Sequence, residues 1–429
     1  MENLLKQWYI GVKLIKIELP KHVAFIIGKL YENGYEAFAV GGCVRDAIMG
    51  RTPHDWDITT SARPEEVKAI FNKTIDTGIK HGTVTVMLKG VGYEVTTYRI
   101  DGEYEDGRHP SEVLFTKNLS EDLKRRDFTI NAMAYNDKAG VIDLFGGVDD
   151  LEKKTIRCVG NATERFTEDA LRILRAVRFS AQLDFSIDES TYNAIYELSD
   201  MLALISRERI QEEMTKLITS PKPDKIMDIY KLALGKYVFA DTMLANAKEE
   251  TLYRKVSDIM LDLPPVHYLR YAGLLTFESN ADKVLRALKF DNKTIKNVAK
   301  LVNSKNYPLT TNAVAIRKAI VAIGENIFKD YYLEYIKSLI KNQVRVDITL
   351  EQVDEILEIY DHIISSKQCI SMADMAIHGK ELKALGLPDG KLIGDILSTL
   401  FERVLEMPDI NTTETLVEMA KELIKNKAD

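Results

Sequence analysis

The chain has 429 residues, 45% hydrophobic and 29% charged, with 65 acidic against 58 basic side chains and a formal net charge of −7. That length suits roughly three domains with ordinary globular cores, and the acidic balance excludes a uniformly basic nucleic-acid coat but not a local basic groove. Cys43, Cys158 and Cys369 are too far apart for a metal-ligand spacing, and no apolar run reaches transmembrane length. Reduced thiols and the lack of a signal peptide lead us to expect a cytoplasmic protein away from membranes.

Pro20 to Tyr35 carries Val23, Ile26, Ile27 and Leu30 at helical spacing, which predicts an amphipathic helix. Ala37 to Val40 is a short apolar run and reads as a buried strand. Gly41-Gly42 permits a sharp turn and close approach of a ligand. Val44 to Met49 reads as a short helix whose free N–H groups would suit phosphate, with Arg45 as a charged donor beside Gly42. After the loop Gly50 to His54, Asp55 to Thr59 reads as a strand. Alternation would turn Asp55 and Asp57 to one face and Trp56 and Ile58 into the core. Two neighbouring carboxylates repel unless a cation sits between them, and Mg²⁺ takes one or two carboxylates together with water and phosphate.

Thr60 to Glu66 predicts a helix start with a hydroxyl cap, running to about Phe71. Thr83–Lys89 and Gly92–Arg99 predict two strands joined by Gly90, Val91 and Gly92, with Glu94 in the second strand. Asp101 to Val113 is a loop rich in turn formers and charge. Phe166 to Leu183 predicts one continuous helix with Thr167 as its cap. Asp169 and Arg172 are then surface neighbours at i,i+3, and Arg175 and Arg178 continue the same step. From Pro221 onward the periodicity is almost entirely helical. His362 and His378 form no metal motif.

The run Gly41-Gly42-x-Val44-Arg45-Asp46, followed by Asp55-x-Asp57, resembles the opening signature of the class II tRNA nucleotidyltransferases and their poly(A) polymerase relatives, within the DNA polymerase β-like superfamily. Leu119–Tyr135, Val141–Gly147, Phe166–Leu183 and Ile205–Leu217 resemble the later motifs of the same family, and Met375–Leu405 resembles the tail of bacterial members. The resemblance implies an α+β fold: a small mixed-sheet nucleotidyltransferase head over residues 1–150, an all-α neck over 151–220, and a helical body and tail over 221–429 that bind tRNA.

The resemblance also implies residue roles. Asp55, Asp57 and Glu94 are the expected catalytic acids, with Asp55 and Asp57 holding Mg²⁺. Gly42, Arg45 and Arg126 are expected at the nucleotide, and Asp127 and Asn131 at the ribose and the local helix start. Asp169 and Arg172 are expected to meet the base, and Arg175 or Arg178 to reach phosphate. Arg209 and Glu212 would brace the surroundings, and Asp143 would be structural. The loop Asp101–Val113 resembles the flexible loop of intact CCA-adding members.

Base choice follows from donor and acceptor chemistry. Cytosine and adenine each present an amino donor beside a ring-nitrogen acceptor, whereas uracil and guanine present a carbonyl beside an N–H. A carboxylate only accepts and a guanidinium only donates, so Asp169 beside Arg172 complements C and A. The implied activity is template-independent addition of C, C and A to the 3′ end of tRNA from CTP and ATP. The tRNA would be met at its acceptor and TΨC arms, and no protein partner is called for. Within the class the alternatives are CC-only addition, A-only addition and poly(A) polymerase; the loop argues against the first, and the lack of a basic C-terminal extension against the last. A non-catalytic RNA-binding protein is the alternative from another class, and the intact Gly42, Arg45, Asp55, Asp57, Asp169 and Arg172 argue against it.

Overall fold

The computed structural model describes residues 15–102, 113–239, 242–388 and 390–428. Contacts divide the chain into two compact units, residues 1–250 and 251–429.

A mixed seven-stranded sheet organises the first unit, in the order β3-β4-β5-β2-β1-β8-β9. Its strands are β1 (Ala37–Val40), β2 (Ile58–Thr60), β3 (Thr74–Gly78), β4 (Thr83–Leu88), β5 (Val91–Thr97), β8 (Met133–Asn136) and β9 (Gly140–Asp143). A separate ribbon pairs β6 (Arg99–Asp101) with β7 (Val113–Phe115). Most of the loop expected at Asp101–Val113 lies outside the described residues. β1 is buried along its whole length, as its unbroken apolar run requires. Helix α1 (Lys21–Glu32) packs against it and buries Val23, Ile26, Ile27 and Leu30, the residues chosen by periodicity.

Local chemistry corrects several expected boundaries. The β4–β5 connection is Lys89-Gly90 alone, with φ of +49° and +88°. This is the mirror-image two-residue turn whose twist matches a hairpin, so Val91 and Gly92 belong to β5 and Leu88 pairs with Val91. Helix α2 is Gly42–Ile48. Helix α3 (Pro64–Ile70) is capped by Glu66, whose carboxylate accepts the Arg63 N–H at 2.7 Å, and not by a Thr60 or Ser61 hydroxyl. Thr60 Oγ1 instead donates to the Glu36 carbonyl at 2.6 Å.

Helices α4 (Leu119–Lys124) and α5 (Gly147–Glu152) flank β8 and β9 in sequence. Asp143 accepts from the N–H groups of Phe145, Gly147 and Val148 at 3.3, 2.8 and 2.8 Å, which fixes the start of α5 and bears out its structural reading.

The continuous helix expected over Phe166–Leu183 is two helices. α6 is Ala162–Glu168 and α7 is Leu171–Leu183. Asn161, not Thr167, caps α6, accepting from Thr163 N at 2.8 Å and Glu164 N at 3.3 Å. Asp169 lies at the break with extended φ and ψ of −142° and 101°. Helix α8 (Glu189–Glu197) follows, and α9 (Arg207–Ile218) packs along α7.

The second unit is helical from Thr251–Asp262 to Thr413–Ala428. Buried Arg317 donates to the Leu405 carbonyl and to Gln368 Oε1, each at 2.7 Å, and ties its helix to the C-terminal layers. Ile377, Leu382, Ile396, Leu400, Val404 and Leu416 form the apolar core of the final segment. Among the described residues no helix is long and apolar enough to cross a membrane.

Candidate active site

The turn after β1 is glycine for two physical reasons. Gly41 has φ +84°, a conformation L side chains rarely adopt, and a Cβ there would lie 2.9 Å from Arg126 Nη1. Close approach of Arg126 to the backbone therefore depends on that missing side chain. Gly42 opens α2. Arg45, in the same helix, is buried, and its guanidinium is built into the frame. It donates from Nη1 to Asn131 Oδ1 at 2.7 Å and from Nε and Nη2 to Asp46 at 2.9 and 3.0 Å, and it lies 5.3 Å from the Phe179 ring centroid. The structure thus places Arg45 beside Gly42 as expected, with three N–H groups already engaged.

The DxD pair stands where β2 begins. Strand geometry starts at Ile58, so Asp55, Trp56 and Asp57 form the approach to the strand and not its body. Ile58 is buried, but Trp56 is only half-buried, which corrects its expected place in the core. The Asp57 carbonyl accepts the Val40 N–H at 3.0 Å, anchoring the segment beside the glycine turn. β2 and β5 are parallel with Ile58 opposite Val95, so Glu94 sits at the same end as Asp57. Asp57 and Glu94 line a concavity of about 180 Å³ with Arg125 and Arg126, and a second of about 500 Å³ with His54, Asp55 and Trp56.

The Asp57 carboxyl titrates above the usual aspartate range. Crowding by protein is the main cause, the Arg126 charge opposes it, and the Asp55 charge adds to it. The residue is exposed by surface area, yet its carboxyl is flanked closely enough to be partly desolvated. Among the described residues no group of three His, Cys, Asp or Glu side chains is arranged to hold a metal by itself. A crowded pair of like-charged carboxylates suits a hard cation that completes its shell with water and substrate phosphate.

Arg125 and Arg126 are held by a residue that sequence reading passed over. Asp122 is fully buried and accepts from Arg125 Nε at 3.1 Å, Arg125 Nη2 at 2.7 Å, Arg126 Nη2 at 3.5 Å and Thr59 Oγ1 at 3.2 Å. Burial works to raise its pKa, but the two arginines outweigh it and leave Asp122 below the usual range. The available signal was its i,i+3 and i,i+4 spacing to both arginines. Arg126 keeps a buried Nε–H with no acceptor, and its guanidinium lines the smaller concavity, where charge is on offer to a ligand.

The residues expected to read the base are arranged differently from the helical-spacing argument. Asp169 is off the helix and does not pair with Arg172. Its carboxylate takes a two-point contact from Arg209, Nη1 to Oδ1 at 3.2 Å and Nη2 to Oδ2 at 2.9 Å, and Oδ1 also accepts the Leu171 N–H at 3.1 Å. Buried Arg172 donates from Nη1 to Glu168 at 2.6 Å and to the Arg165 carbonyl at 3.1 Å, and from Nη2 to the Arg125 carbonyl at 2.9 Å. Asp169 Oδ2 therefore retains an acceptor site, and Arg172 retains its Nε–H and one Nη2 hydrogen. Arg209 braces, as expected, but it braces Asp169 itself.

The structure gives the next two arginines other partners. Arg175 donates from Nε and Nη2 to Asp127 Oδ2 at 2.9 and 2.6 Å. Its side chain remains 32% exposed. Arg178 is walled in: its ion pair with Glu213 spans 2.5 Å, Nη1 donates to Gln182 Oε1 at 2.8 Å, and the Phe179 ring centroid lies 3.8 Å away. Of the two arginines expected at phosphate, Arg175 is therefore the more exposed and Arg178 the more engaged. Glu212 is exposed, and the bracing acid of α9 is Glu213. Asp127 also accepts from Asn131 Nδ2 at 3.1 Å and from the Phe128 N–H at 2.8 Å, so Asp127 and Asn131 brace the frame.

Comparison with known proteins shows the family. Residues 37–157 match the family described as "Poly A polymerase head domain", 184–243 the "Probable RNA and SrmB- binding site of polymerase A", and 272–420 the tRNA nucleotidyltransferase domain 2. The chain is 38% identical over 406 residues to the CCA-adding enzyme of Leuconostoc mesenteroides, spanning 94% of this chain and 96% of that one. The chain belongs to the CCA-adding enzymes. It is also 38% identical over 418 residues to the CCA-adding enzyme of Ligilactobacillus salivarius, with 94% and 96% coverage. The crystal structure of the Bacillus stearothermophilus CCA-adding enzyme in complex with CTP superposes with a TM-score of 0.81 at 32% identity, covering 96% of this chain and 99% of that one. Nucleotidyl transfer in this family uses a divalent metal.

Proposed function

We propose that this CCA-adding enzyme extends the 3′ end of tRNA by C, C and A, using CTP, ATP and Mg²⁺ and no nucleic-acid template. The observation that carries the reading is the bolting of α7 to the arginine segment. Arg172 donates to the Arg125 carbonyl and Arg175 to Asp127, which ties α7 to the segment that carries Arg126 and supports a base-reading role for its residues.

In this reading Asp55 and Asp57 hold the cation, which when bound lowers the pKa of the attacking hydroxyl and stabilises charge on the phosphate oxygens. Glu94, beside Asp57 at the strand end, accepts the proton of the 3′ hydroxyl. That oxygen bonds to the α-phosphorus, the bond to the β-phosphate bridge breaks, and pyrophosphate leaves. Arg126 meets the triphosphate with its guanidinium at the smaller concavity, Gly42 N–H and Arg45 frame the turn, and Arg175 adds charge from its exposed side. Asp169 Oδ2 accepts from the exocyclic amino group, and Arg172 donates to the ring nitrogen. UTP and GTP would set carbonyl against carboxylate and N–H against guanidinium, and such unpaired groups cost free energy.

Residues 1–150 act as the catalytic head, 151–220 as the neck carrying the base-reading residues, and 221–429 as the body and tail that meet the acceptor and TΨC arms, recognising the RNA helix largely by shape. The test is a tRNA ending at its discriminator base. CTP alone should add two residues, CTP with ATP should add three, and UTP and GTP should add none. Arrest after CC with both nucleotides present, or untemplated runs of A, would replace this reading with CC-only addition or poly(A) synthesis.

A further inference from the structure

Two concavities flank the catalytic acids, and they differ in chemistry. The smaller lies toward the start of α2, with Val40, Arg125 and Arg126 in its wall. The larger contains Asp55, Trp56 and Asp57 and adjoins a third concavity of about 590 Å³ at the other end of α2, lined by Lys16, Lys21, Ala47, Arg51 and Thr52. Pro20 and Trp56 are common to both of these, so the path from the acids runs over the indole.

Among the described residues no ion pair accounts for the charge of that surface. Trp56 is half-buried between two exposed acids, and Lys16, Lys21 and Arg51 are exposed and form no ion pair among the described residues. A single acid, Glu18, faces three cations in this wall. In-line transfer sets the direction: the attacking oxygen and the leaving pyrophosphate lie on opposite sides of the phosphorus. With the triphosphate on the Arg126 side, the attacking strand must enter from the Trp56 side.

We propose that Trp56, with Lys21 and Arg51, forms the subsite for the unpaired 3′ end of the RNA being extended, the indole stacking on a terminal base and the cations following its phosphates. The inference rests on the function proposed above. An aromatic face beside a short basic track suits single-stranded RNA whose end changes from discriminator base to C at successive steps, because stacking tolerates every base.

The test uses the full-length enzyme with tRNA ending at the discriminator base and tRNA already carrying one C. Trp56→Ala should raise KM for both RNAs about tenfold or more, the scale of a lost base–aromatic stack, and leave KM for CTP within about twofold. Trp56→Phe should recover most of the loss. Trp56 adjoins both acids, so Lys21→Ala/Arg51→Ala provides a second, more distant probe. It should weaken RNA binding and reduce the slope of log K against log salt by roughly 1.4, two single-strand phosphate contacts at about 0.7 each. Equal changes in the KM of RNA and CTP for Trp56→Ala, or an unchanged salt slope in the double variant, would overturn the subsite. Wild-type enzyme that adds nothing to tRNA would overturn the function itself, and the subsite with it.

Discussion

The acids at one end of the central strands β2 and β5 and the acids of α4, the turn after it and α9 teach opposite lessons about charge. Asp55, Asp57 and Glu94 are exposed and have no ion pair among the described residues. Asp122, Asp127 and Glu213 are buried, and each holds arginine: Arg125 and Arg126, Arg175, and Arg178. A buried carboxylate without a partner would be costly, so the second set is satisfied internally and shapes the frame. The first set has no ion pair of its own among the described residues, and the Asp57 carboxyl is raised by crowding first and by the Asp55 charge after it, which a cation from outside would offset. Function is expected where the charges are uncompensated, and stability where they are matched.

The largest effect should come from the exposed set. Asp55→Ala should lower incorporation of labelled CTP by about a thousandfold or more, the several kcal/mol of transition-state charge stabilisation that a bound cation supplies. Affinity for tRNA, measured by filter binding, should change little. Next is the buried set. Glu213→Ala leaves Arg178 buried without its partner and should lower the unfolding free energy by about 3–5 kcal/mol in a denaturant titration. Glu212→Ala, one residue away and exposed, should stay within about 0.5 kcal/mol.

Asp169 belongs to both classes, since Arg209 holds it and one acceptor site stays open. Asp169→Ala should lower the preference for CTP over UTP by about 1–3 kcal/mol, measured as the ratio of kcat/KM values. An unchanged ratio in an active, folded variant would mark it as a bracing acid only. The smallest effect is in pH dependence. Burial raises the Asp127 carboxyl, but Arg175 and Asn131 more than reverse this and hold it well below the usual aspartate range. Its contribution to stability is therefore complete above an unfolded value of about 4 and is lost as pH falls below it. Asp127→Asn should show a shallower loss of stability between about pH 4 and pH 2 than the wild type.

Much of this arrangement was legible in the sequence, for particular reasons. Gly41-Gly42 and the short apolar run before it demanded a buried strand and tight turn, and both are present. Glu94 was expected among the acids only through the family resemblance; the parallel pairing of β2 with β5 that sets it at the same end as Asp57 joins strands far apart in sequence and was not legible. The break at Asp169 was not legible, because FTEDALRILRAVRF has no glycine or proline to mark it. Its cause is tertiary: Arg209, forty residues on, holds the carboxylate and stabilises an extended backbone there. Glu213 was missed for Glu212 because the face of α9 that meets α7 depends on how the two helices pack. Asp122 was missed because a buried acid in a short charged helix looks like a solvated one until the fold encloses it.

The central claim is that uncompensated acids do the chemistry and matched acids hold the frame. Asp57→Asn tests it most directly, with thermal unfolding and labelled CTP incorporation read on the same preparation. Crowding by protein, and after it the Asp55 charge, disfavours the ionised Asp57 carboxyl in the fold, so its charge adds no stability and a neutral isostere relieves both effects. The expected result is an unfolding temperature equal to or above the wild type with incorporation reduced about a thousandfold or more. A lowered unfolding temperature with incorporation retained would contradict the account and make Asp57 a structural acid.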